Sequence, residues 1–187
     1  MRIISGQLKG RTIRTAGSRS VRPATDRVRE SLFNMLANRL ELEGIAVLDL
    51  FAGSGSLGLE ALSRGAGLAV FVENQRDALR YLEENIRRLE CEQRAEVIAM
   101  DALGYVEETD RRFQLAFADP PYGHTSTRSL PDRIFRRRIL EEGGYLLIEH
   151  ERGVLFPESP LYGTGPEKRF GQTCVTFFHH RQGASER

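Results

Sequence analysis

The fold of this chain is constrained most by an alternation of short apolar runs with segments in which apolar residues recur at helical spacing. The runs typical of buried strands lie at residues 45–50, 68–72, 97–99, 113–118 and 145–148. Helical spacing occurs between them at residues 57–63, 78–89, 103–106 and 134–140, and before the first run at residues 26–40. Strands that alternate with helices need crossover connections, which bury a parallel sheet between two helical layers. The sequence therefore predicts an α/β domain with a mostly parallel sheet.

The two ends of the chain depart from this alternation. Two apolar runs near the end, at residues 154–156 and 174–178, have no helical segment between them and predict an antiparallel hairpin at one edge of a seven-stranded sheet. At the start, short alternating pieces surround Gly6 and Gly10. We predict a small basic hairpin or arm over residues 1–24 and a single domain over residues 25–187.

Positive charge is concentrated at the N-terminal end. Residues 1–39 contain nine Lys and Arg against two acidic residues, although the net charge of the 187-residue chain is only +1. A basic segment on a mildly acidic body predicts contact with a polyanion, for which nucleic acid is the first candidate. An ordinary solvated basic face is the alternative.

The remaining composition argues against several classes of protein. No apolar run approaches the roughly 20 residues that cross a bilayer, and the N-terminus lacks the apolar core of a signal peptide. The two cysteines, Cys91 and Cys174, match no metal-binding spacing. His150 is interpreted as a hydrogen-bonded structural histidine. We expect a cytoplasmic monomer with no metal and no membrane contact.

A glycine-rich loop follows the first predicted strand. Gly53, Gly55 and Gly58 lie between Asp49 and a predicted helix, and Glu73 ends the second strand 20 residues after Gly53. Bare backbone can approach a ligand closely, and a carboxylate at the end of the second strand can accept the hydroxyls of a ribose. A negative charge before the loop would repel a pyrophosphate but attract an ammonium group, which favours S-adenosylmethionine. A plain tight turn with a capping aspartate is the alternative.

The tetrapeptide Asp119-Pro120-Pro121-Tyr122 follows the fourth apolar run. Each proline fixes its own φ and restricts the residue before it, so the turn should be rigid before any ligand binds. A carboxylate, a backbone carbonyl and an aromatic ring held in one turn suit a planar base with an exocyclic amine. The alternative is a proline-stiffened strand exit with a surface tyrosine.

These motifs resemble class I methyltransferases, and more specifically the RsmD family. Residues 49–55 are similar to the S-adenosylmethionine loop, and residues 119–122 to the signature for methylation of exocyclic amino nitrogens. The resemblance to the RsmD family extends from Arg2 to Thr173 and is carried by residues 2–6, 9–11, 22–23, 25–30, 32–34 and 57–65. Members of this bacterial family methylate the N2 amine of a guanine in small-subunit (16S) ribosomal RNA.

The resemblance implies a Rossmann-like class I methyltransferase fold and a role for individual residues. Asp119 and the Pro120 carbonyl would accept the N–H bonds of the amine in a turn completed by Pro121, and Tyr122 would stack on a flipped or unpaired base. S-adenosylmethionine would be bound by Asp49, Phe51, Gly53, Ser54, Gly55, Glu73, Asn74, Asp101 and Ala102. Three residues, for which helix capping and surface charge are the alternative, would close over its methionine moiety: Thr25, Asp26 and Arg29. The RNA, alone or in an assembling 30S particle, would contact Arg2, Lys9, Arg11, Arg14 and Arg22.

The chain departs from the family pattern in two places, and two other functions stay open. Ala24 stands where the family usually has threonine, and the segment 123–142 is short. A methyltransferase acting on DNA adenine or on a protein glutamine amide would use the same cofactor. DNA enzymes are expected to carry a target-recognition domain, and amide enzymes usually have asparagine in place of Asp119. An NAD-dependent dehydrogenase would explain the glycines but leaves the Pro-Pro-Tyr turn without a use.

Overall fold

A computed structural model of the protein describes residues 1–15 and 23–181, with the side chains of residues 23–25 excepted. In chain order its elements are α1 (Pro23–Ala37), β1 (Ala46–Leu50), α2 (Ser56–Ser63), β2 (Leu68–Glu73), α3 (Arg76–Leu89), β3 (Ala95–Ala99), α4 (Ala102–Glu108), β4 (Phe113–Ala118), α5 (Leu130–Arg136), β5 (Leu140–Glu151), β6 (Tyr162–Phe170) and β7 (Thr173–His180). Short 3-10 turns at Glu92–Arg94 and Thr127–Ser129 precede β3 and α5. Within these residues no helix is long and apolar enough to cross a membrane.

The strands form one seven-stranded sheet in the order β3-β2-β1-β4-β5-β7-β6. The first five strands in that order are parallel, whereas β7 pairs antiparallel with both β5 and β6. The predicted Rossmann-like sheet with an antiparallel edge hairpin is therefore confirmed. Because the connections run outward in both directions from β1 and β4, the carboxyl ends of these two strands flank an open crevice.

Helices cover both faces of the sheet. On one face α1, α2 and α3 pack on the strands through a cluster that includes Phe33, Leu59 and Leu82. On the other face α4 and α5 pack through a second cluster that includes Val106 and Ile134. The central strands are buried on both sides, which explains why their sequences are continuous apolar runs.

The N-terminal segment, residues 1–15, packs on the first of these helical faces. An antiparallel bridge joins Arg2 to Thr12, and the neighbouring Ile3 and Ile13 are buried in the same cluster as Leu59. The backbone N–H groups of residues 4 and 5 donate to the carboxylate of Glu60 on α2. The segment is thus anchored to α2 by both apolar and polar contacts, and a hairpin arm over residues 1–24 stays a prediction.

The structure corrects two of the predicted elements. The helix predicted at residues 134–140 ends at Arg136, and Arg138 turns the chain with a φ of 54° so that Leu140 begins β5. The first strand of the edge hairpin is Tyr162–Phe170, while residues 154–156 lie outside the sheet. This strand pairs on one side only, and its register shifts between Thr164 and Glu167. An exposed edge strand tolerates glycine, proline and charge and so lacks the apolar pattern that reveals a central strand.

Candidate active site

The candidate active site lies at the carboxyl ends of β1, β2 and β4. The glycine loop follows β1, Glu73 ends β2, and residues 119–122 follow β4. Ligands of open α/β sheets bind where the strand order reverses, which here is between β1 and β4. The three motifs that the sequence singles out are thus brought to one edge of the sheet.

The glycine loop has an unusual backbone conformation. Phe51, Gly53 and Gly55 have positive φ angles of 57°, 56° and 81°. A Cβ on Gly55 would also lie 2.5 Å from the Leu82 Cδ1, so both conformation and space favour glycine there. A Cβ on Gly53 would meet only the Phe51 carbonyl oxygen, at 4.0 Å. Bare backbone at Gly53 therefore faces open space, as close approach of a ligand requires.

Asp49 is buried beneath this loop. Its Oδ2 accepts a hydrogen bond of 2.9 Å from the backbone N–H of Gly58 in the first turn of α2. Burial raises the pKa of Asp49 to about 8; the Gly58 hydrogen bond opposes this shift, and the charges of Asp119 and Glu73 add to it. The sequence suggested a carboxylate open to a cationic amino group, whereas the structure gives it a partner inside the protein. Contact of Asp49 with a cofactor stays a prediction.

A first cavity, of about 270 Å³, opens beside the glycine loop. Residues from four successive strand ends contribute to its lining, including Phe51, Glu73, Asn74, Asp101 and Asp119. The volume lies near the lower end of the roughly 300–1,000 Å³ typical of small-molecule sites. Several residues predicted to bind a cofactor therefore share one concave surface.

Backbone hydrogen bonds fix the carboxylate of Glu73 in this cavity. Its Oε2 accepts from the N–H of Gly53 at 2.8 Å, and its Oε1 accepts from the N–H groups of Asn74 and Gln75 at 2.9 and 2.8 Å. An ionised carboxylate has about four acceptor positions, so capacity remains for a ligand hydroxyl. Glu73 links the glycine loop to the end of β2 and is held in one orientation.

Asp101 and Ala102 form the far wall of the first cavity, at the start of α4. The Asp101 Oδ2 caps the helix by accepting from the N–H groups of Leu103 and Gly104, both at 3.0 Å. Its other carboxylate oxygen accepts no hydrogen bond from the described residues. The predicted contact of this pair with an adenine edge is compatible with that free oxygen and stays a prediction.

Residues 119–122 stand between the first cavity and a second cavity of about 490 Å³. Asp119 and Pro121 line both cavities, whereas Pro120 and Tyr122 line only the second. Solvent reaches Asp119 through the cavities, yet crowding by protein atoms removes enough water to raise the pKa of its carboxyl to about 6. Asp119 is thus the one polar side chain in the described residues that lines both cavities.

A hydrogen bond and a contact between two rings tie the turn to its surroundings. The ring of Tyr122 is exposed, and its hydroxyl forms a hydrogen bond with the Thr173 Oγ1 at the start of β7. His124, just beyond the turn, packs edge-on against Phe51 of the glycine loop with ring centroids 5.2 Å apart. An exposed ring whose hydroxyl is held in place provides a flat surface on which a planar molecule can stack.

Glu149 on β5 is a further acidic residue in the second cavity, and the sequence motifs do not identify it. Burial, followed by the charge of Asp119, raises the pKa of Glu149 to about 8. The sequence could have indicated Glu149 through its position. Glu149 directly follows the apolar run 145–148, just as Asp119 directly follows the run 113–118. In neighbouring parallel strands, two such ends meet at the same edge.

Arg29, predicted to close over a cofactor, is buried in the wall of the second cavity. Its guanidinium lies 3.1 Å from Asp26 and 3.6 Å from Glu60, and it donates to the Arg2 carbonyl. Burial lowers the pKa of Arg29, and both carboxylates oppose that shift. Arg29 and Asp26 thereby join α1 to α2 and to the N-terminal segment. Their contact with a cofactor stays a prediction, and the side chain of Thr25 lies outside the described residues.

Two of the five residues predicted to contact RNA have partners within the protein. Arg11 donates to the Leu89 carbonyl at the C-terminal end of α3, at 3.3 Å. Arg14 forms an ion pair with Glu84 on the same helix. These partners give both arginines a role in anchoring the N-terminal segment to α3.

The other three residues predicted to contact RNA differ from this pair. Arg2 and Lys9 are exposed and line one shallow surface depression. Arg22 lies outside the described residues. In the described part of the N-terminal segment, Arg2 and Lys9 therefore present charge to solvent without a side-chain ion pair.

His150 behaves as a structural residue. His150 is buried, with Nε2 2.9 Å from the Thr176 Oγ1 and Nδ1 2.9 Å from the Glu151 carbonyl oxygen. Both ring nitrogens have partners, as predicted. Among residues 1–15 and 23–181 there is no group of three or more His, Cys, Asp or Glu that could hold a metal ion.

The sequence and the fold place the chain among known proteins. The sequence profile of the family described as "Conserved hypothetical protein 95" matches residues 1–179. The protein YlbH of Bacillus subtilis (strain 168) is 40% identical over 186 residues, which span 97% of this chain and 100% of that protein. Ribosomal RNA small subunit methyltransferase D of Escherichia coli (strain K12) is 38% identical over 162 residues, 87% of this chain and 73% of that protein. The chain belongs to the RsmD family of methyltransferases.

A solved structure supports the assignment at the level of the fold. The protein yhhF of Escherichia coli superposes with a TM-score of 0.84 at 32% identity, over 97% of this chain and 98% of that one. The family profile, over residues 1–179, includes the N-terminal segment, the glycine loop and residues 119–122. The RsmD-family fold therefore extends over the whole candidate active site.

Proposed function

We propose that this protein transfers a methyl group from S-adenosylmethionine to the exocyclic N2 amine of a guanine in small-subunit ribosomal RNA. The observation that carries the proposal is that Asp119 lines both cavities, in a chain of the RsmD family. A methyl transfer between two bound molecules needs such a meeting point, where donor and acceptor are aligned. The ribosomal RNA substrate is taken from the name of the Escherichia coli relative.

The residues of the first cavity fit S-adenosylmethionine. The Glu73 carboxylate is oriented by the backbone N–H groups of three residues and keeps capacity for ribose hydroxyls. The bare backbone at Gly53 allows close approach, and Asp101 offers a free oxygen to an adenine amine. When bound, S-adenosylmethionine supplies an electrophilic methyl group. Because S-adenosylmethionine has no phosphate group, its site needs no basic side chain to bind one. The acidic lining at Glu73, Asp101 and Asp119 agrees with this.

The turn at residues 119–122 supplies the groups that a guanine amine requires. The lone pair of this amine is delocalised into the ring, which makes the nitrogen a poor nucleophile. Acceptance of its N–H bonds by Asp119 and by the Pro120 carbonyl would increase electron density on the nitrogen and fix its orientation. With its pKa at about 6, Asp119 is mostly ionised at neutral pH and able to accept the N–H bond. The proton becomes acidic only as the new C–N bond forms, so Asp119 would accept it late.

The second cavity suits a base that has left its stack. Its lining includes the rigid Pro120 and Pro121, the exposed ring of Tyr122, and Phe170. Stacking on an aromatic ring compensates the cost of extracting a base from a helix or loop. The exposed Arg2 and Lys9 would contribute phosphate contacts.

Two sets of measurements test the proposal with the 187-residue chain. Methyl incorporation from radiolabelled S-adenosylmethionine is measured on naked 16S ribosomal RNA and on 30S subunits, both from cells that lack the protein. Asp119→Ala should lower methyl transfer by about 100-fold or more, because an interaction made to the reacting amine is removed. Its affinity for S-adenosylmethionine in calorimetry should stay within a few-fold. Asp110→Ala, an exposed acidic residue before β4, is the matched control.

The results also separate the alternatives. Tight binding of NAD without a response to S-adenosylmethionine would favour a dehydrogenase and end the proposal. Methylation of adenine in DNA or of a protein amide, with none of ribosomal RNA, would keep the cofactor and replace the target. Loss of cofactor binding in Asp119→Ala would mean that this residue holds the cofactor rather than the amine.

A further inference from the structure

Two acidic side chains stand next to each other in the second cavity. In the parallel pairing of β4 with β5, Ala118 lies opposite Ile148, so the next residues along, Asp119 and Glu149, are also neighbours. Adjacent strands are about 4.8 Å apart. On its other side Glu149 pairs with Val175 of β7, which carries no charge. The cavity is therefore lined by two carboxyl-bearing residues whose backbones are one strand spacing apart.

Both carboxyls project from the same face of the sheet. Phe117 and Leu147, two residues before Asp119 and Glu149, belong to the cluster beneath α1 and α2. Because side chains alternate along a strand, Asp119 and Glu149 extend this face beyond its last apolar layer. They form the acidic end of a cavity whose other walls include Leu32.

A second negative charge on such a pair is disfavoured at neutral pH. Like charges a few ångströms apart disfavour each other's ionisation, and limited hydration adds to the effect. Burial and the charge of Asp119 raise the pKa of Glu149 to about 8, above that of Asp119 at about 6. The two carboxyls are therefore expected to titrate together, and the higher pKa of Glu149 favours the state in which Glu149 holds the proton near pH 7.

Three other charged or titratable groups line the cavity. The Arg29 guanidinium from α1 is already paired with two other carboxylates. The α-amino group of Met1 and the hydroxyl of Tyr122 complete the titratable lining. The hydroxyl of Tyr122 is engaged by a threonine on β7.

A neutral carboxylic acid matches one edge of guanine. Guanine presents O6 as an acceptor and N1–H as a donor, next to its 2-amino group. The carbonyl oxygen of a carboxylic acid can accept from N1–H while its O–H donates to O6, and an adjacent carboxylate can accept from the amine. Adenine reverses the donor and acceptor at positions 1 and 6 and has no 2-amino group, so it cannot pair with the acid and at the same time offer an amine to the adjacent carboxylate. An ionised carboxylate would also repel O6.

We propose that Glu149 is a specificity-determining residue that binds the N1–H and O6 edge of the target guanine as a neutral acid, beside Asp119 on the 2-amino group. The inference rests on the proposed function and goes beyond it, because it assigns the choice of guanine to a residue outside the Asp-Pro-Pro-Tyr turn.

The test compares Glu149→Gln, Glu149→Ala and the unaltered protein on 16S ribosomal RNA or 30S subunits. Gln places a carbonyl oxygen and an N–H donor where the neutral acid has its acceptor and donor, so kcat/KM near pH 7 should stay within about 5-fold. Ala removes both hydrogen bonds and should lower kcat/KM by about 10- to 100-fold. Glu141→Gln, at the far end of β5, is the matched control.

Two further readouts separate recognition from a structural role. The rate of the unaltered protein should rise with pH through about 6 as Asp119 ionises and fall through about 8 as Glu149 loses its proton. In Glu149→Gln the fall near pH 8 should disappear. An RNA whose target guanine is replaced by 2-aminopurine keeps the amine but lacks N1–H and O6. The unaltered protein should methylate it at least about 10-fold more slowly than guanine, and Glu149→Ala should not discriminate.

The outcomes are distinct. Equal rates and pH profiles for all three proteins, or discrimination against 2-aminopurine that survives in Glu149→Ala, would overturn the inference. A Glu149→Gln variant as inactive as Glu149→Ala, with weakened S-adenosylmethionine binding, would assign the residue to the cofactor and also overturn it. If the unaltered protein methylates neither RNA nor subunits, the proposed function itself fails.

Discussion

The substitution Asp49→Asn should make the folded protein increasingly more stable, relative to the unaltered chain, as pH rises from about 5 to about 8. Asp49 is buried, and the pKa of its carboxyl is raised from an unfolded value of 3.8 to about 8. Between these values the unfolded chain carries an ionised Asp49 and the folded chain a protonated one. In this range the chain must bind a proton when it folds. The free-energy cost of binding that proton is absent below the pKa of Asp49 in the unfolded chain. It grows with pH until the pH passes the pKa of Asp49 in the folded protein.

The size of the effect follows from the width of this window. Each pH unit adds about 1.4 kcal/mol, so the cost changes by up to about 4 kcal/mol between pH 5 and pH 8. Asn carries no ionisable group, and its carbonyl oxygen can still accept the hydrogen bond from Gly58. Its amide N–H groups need partners below the glycine loop, which costs about 1–3 kcal/mol at every pH. At pH 5, which is about 1.2 units above the unfolded pKa, the cost of taking up the proton is already about 1.7 kcal/mol and roughly offsets this penalty. The variant should therefore be close to the unaltered protein at pH 5 and about 2–4 kcal/mol more stable at pH 8.

Chemical denaturation of the cofactor-free protein at several pH values measures this difference. At pH 8 the gain corresponds to a rise in Tm of about 2–4 °C per kcal/mol for a domain of this size. Asp110→Asn, at an exposed position, is the control for the loss of one carboxylate. A difference between Asp49→Asn and the unaltered protein that does not change from pH 5 to pH 8 would refute a protonated, buried Asp49.

Two other substitutions test the packing and the charge of the N-terminal segment. Glu60→Gln weakens a buried ion pair with Arg64, at 2.8 Å, and removes the charge that faces Arg29. The free energy of unfolding, measured in denaturant titrations, should therefore fall by about 2–4 kcal/mol. An unchanged free energy of unfolding would mean that Glu60 does not anchor the N-terminal segment. Replacement of Arg2 and Lys9 by Ala should weaken binding to ribosomal RNA without lowering the stability of the protein. The slope of log K against log salt concentration should become less steep, by the amount expected for the loss of about two phosphate contacts. Unaltered binding and salt slope would exclude these two side chains from the RNA interface.

The central part of the fold could be predicted from the sequence because its strands are buried on both faces. The run at 113–118 coincides with β4, and the parallel strands to either side lie where apolar runs indicated them. The edge of the sheet could not be predicted in the same way. Strand β6 pairs on one side, contains Gly165 and Pro166 at a register shift, and is mostly exposed. Its strand conformation comes from pairing with β7, which leaves little trace in the local sequence.

The site divides along a similar line. Motifs at strand ends were sufficient to predict that Glu73 and Asp119 share an edge, since parallel strands all end on the same side. Contacts between distant segments were not predictable from local patterns. How the helices pack determines the hydrogen bond from the Gly58 N–H to Asp49. It also determines the contacts that Arg11 and Arg14 make with α3. Glu149 is a member of the site only because β5 lies next to β4.

The central claim is tested most directly by comparing modified guanines in 16S ribosomal RNA from cells with and without this protein. Mass spectrometry of nuclease digests, followed by mapping of each N2-methylguanine, gives the position and occupancy of every site. The account predicts that one N2-methylguanine is lost without the protein, returns with the unaltered chain and does not return with Asp119→Ala. An unchanged set of N2-methylguanines in cells that lack the protein would contradict it.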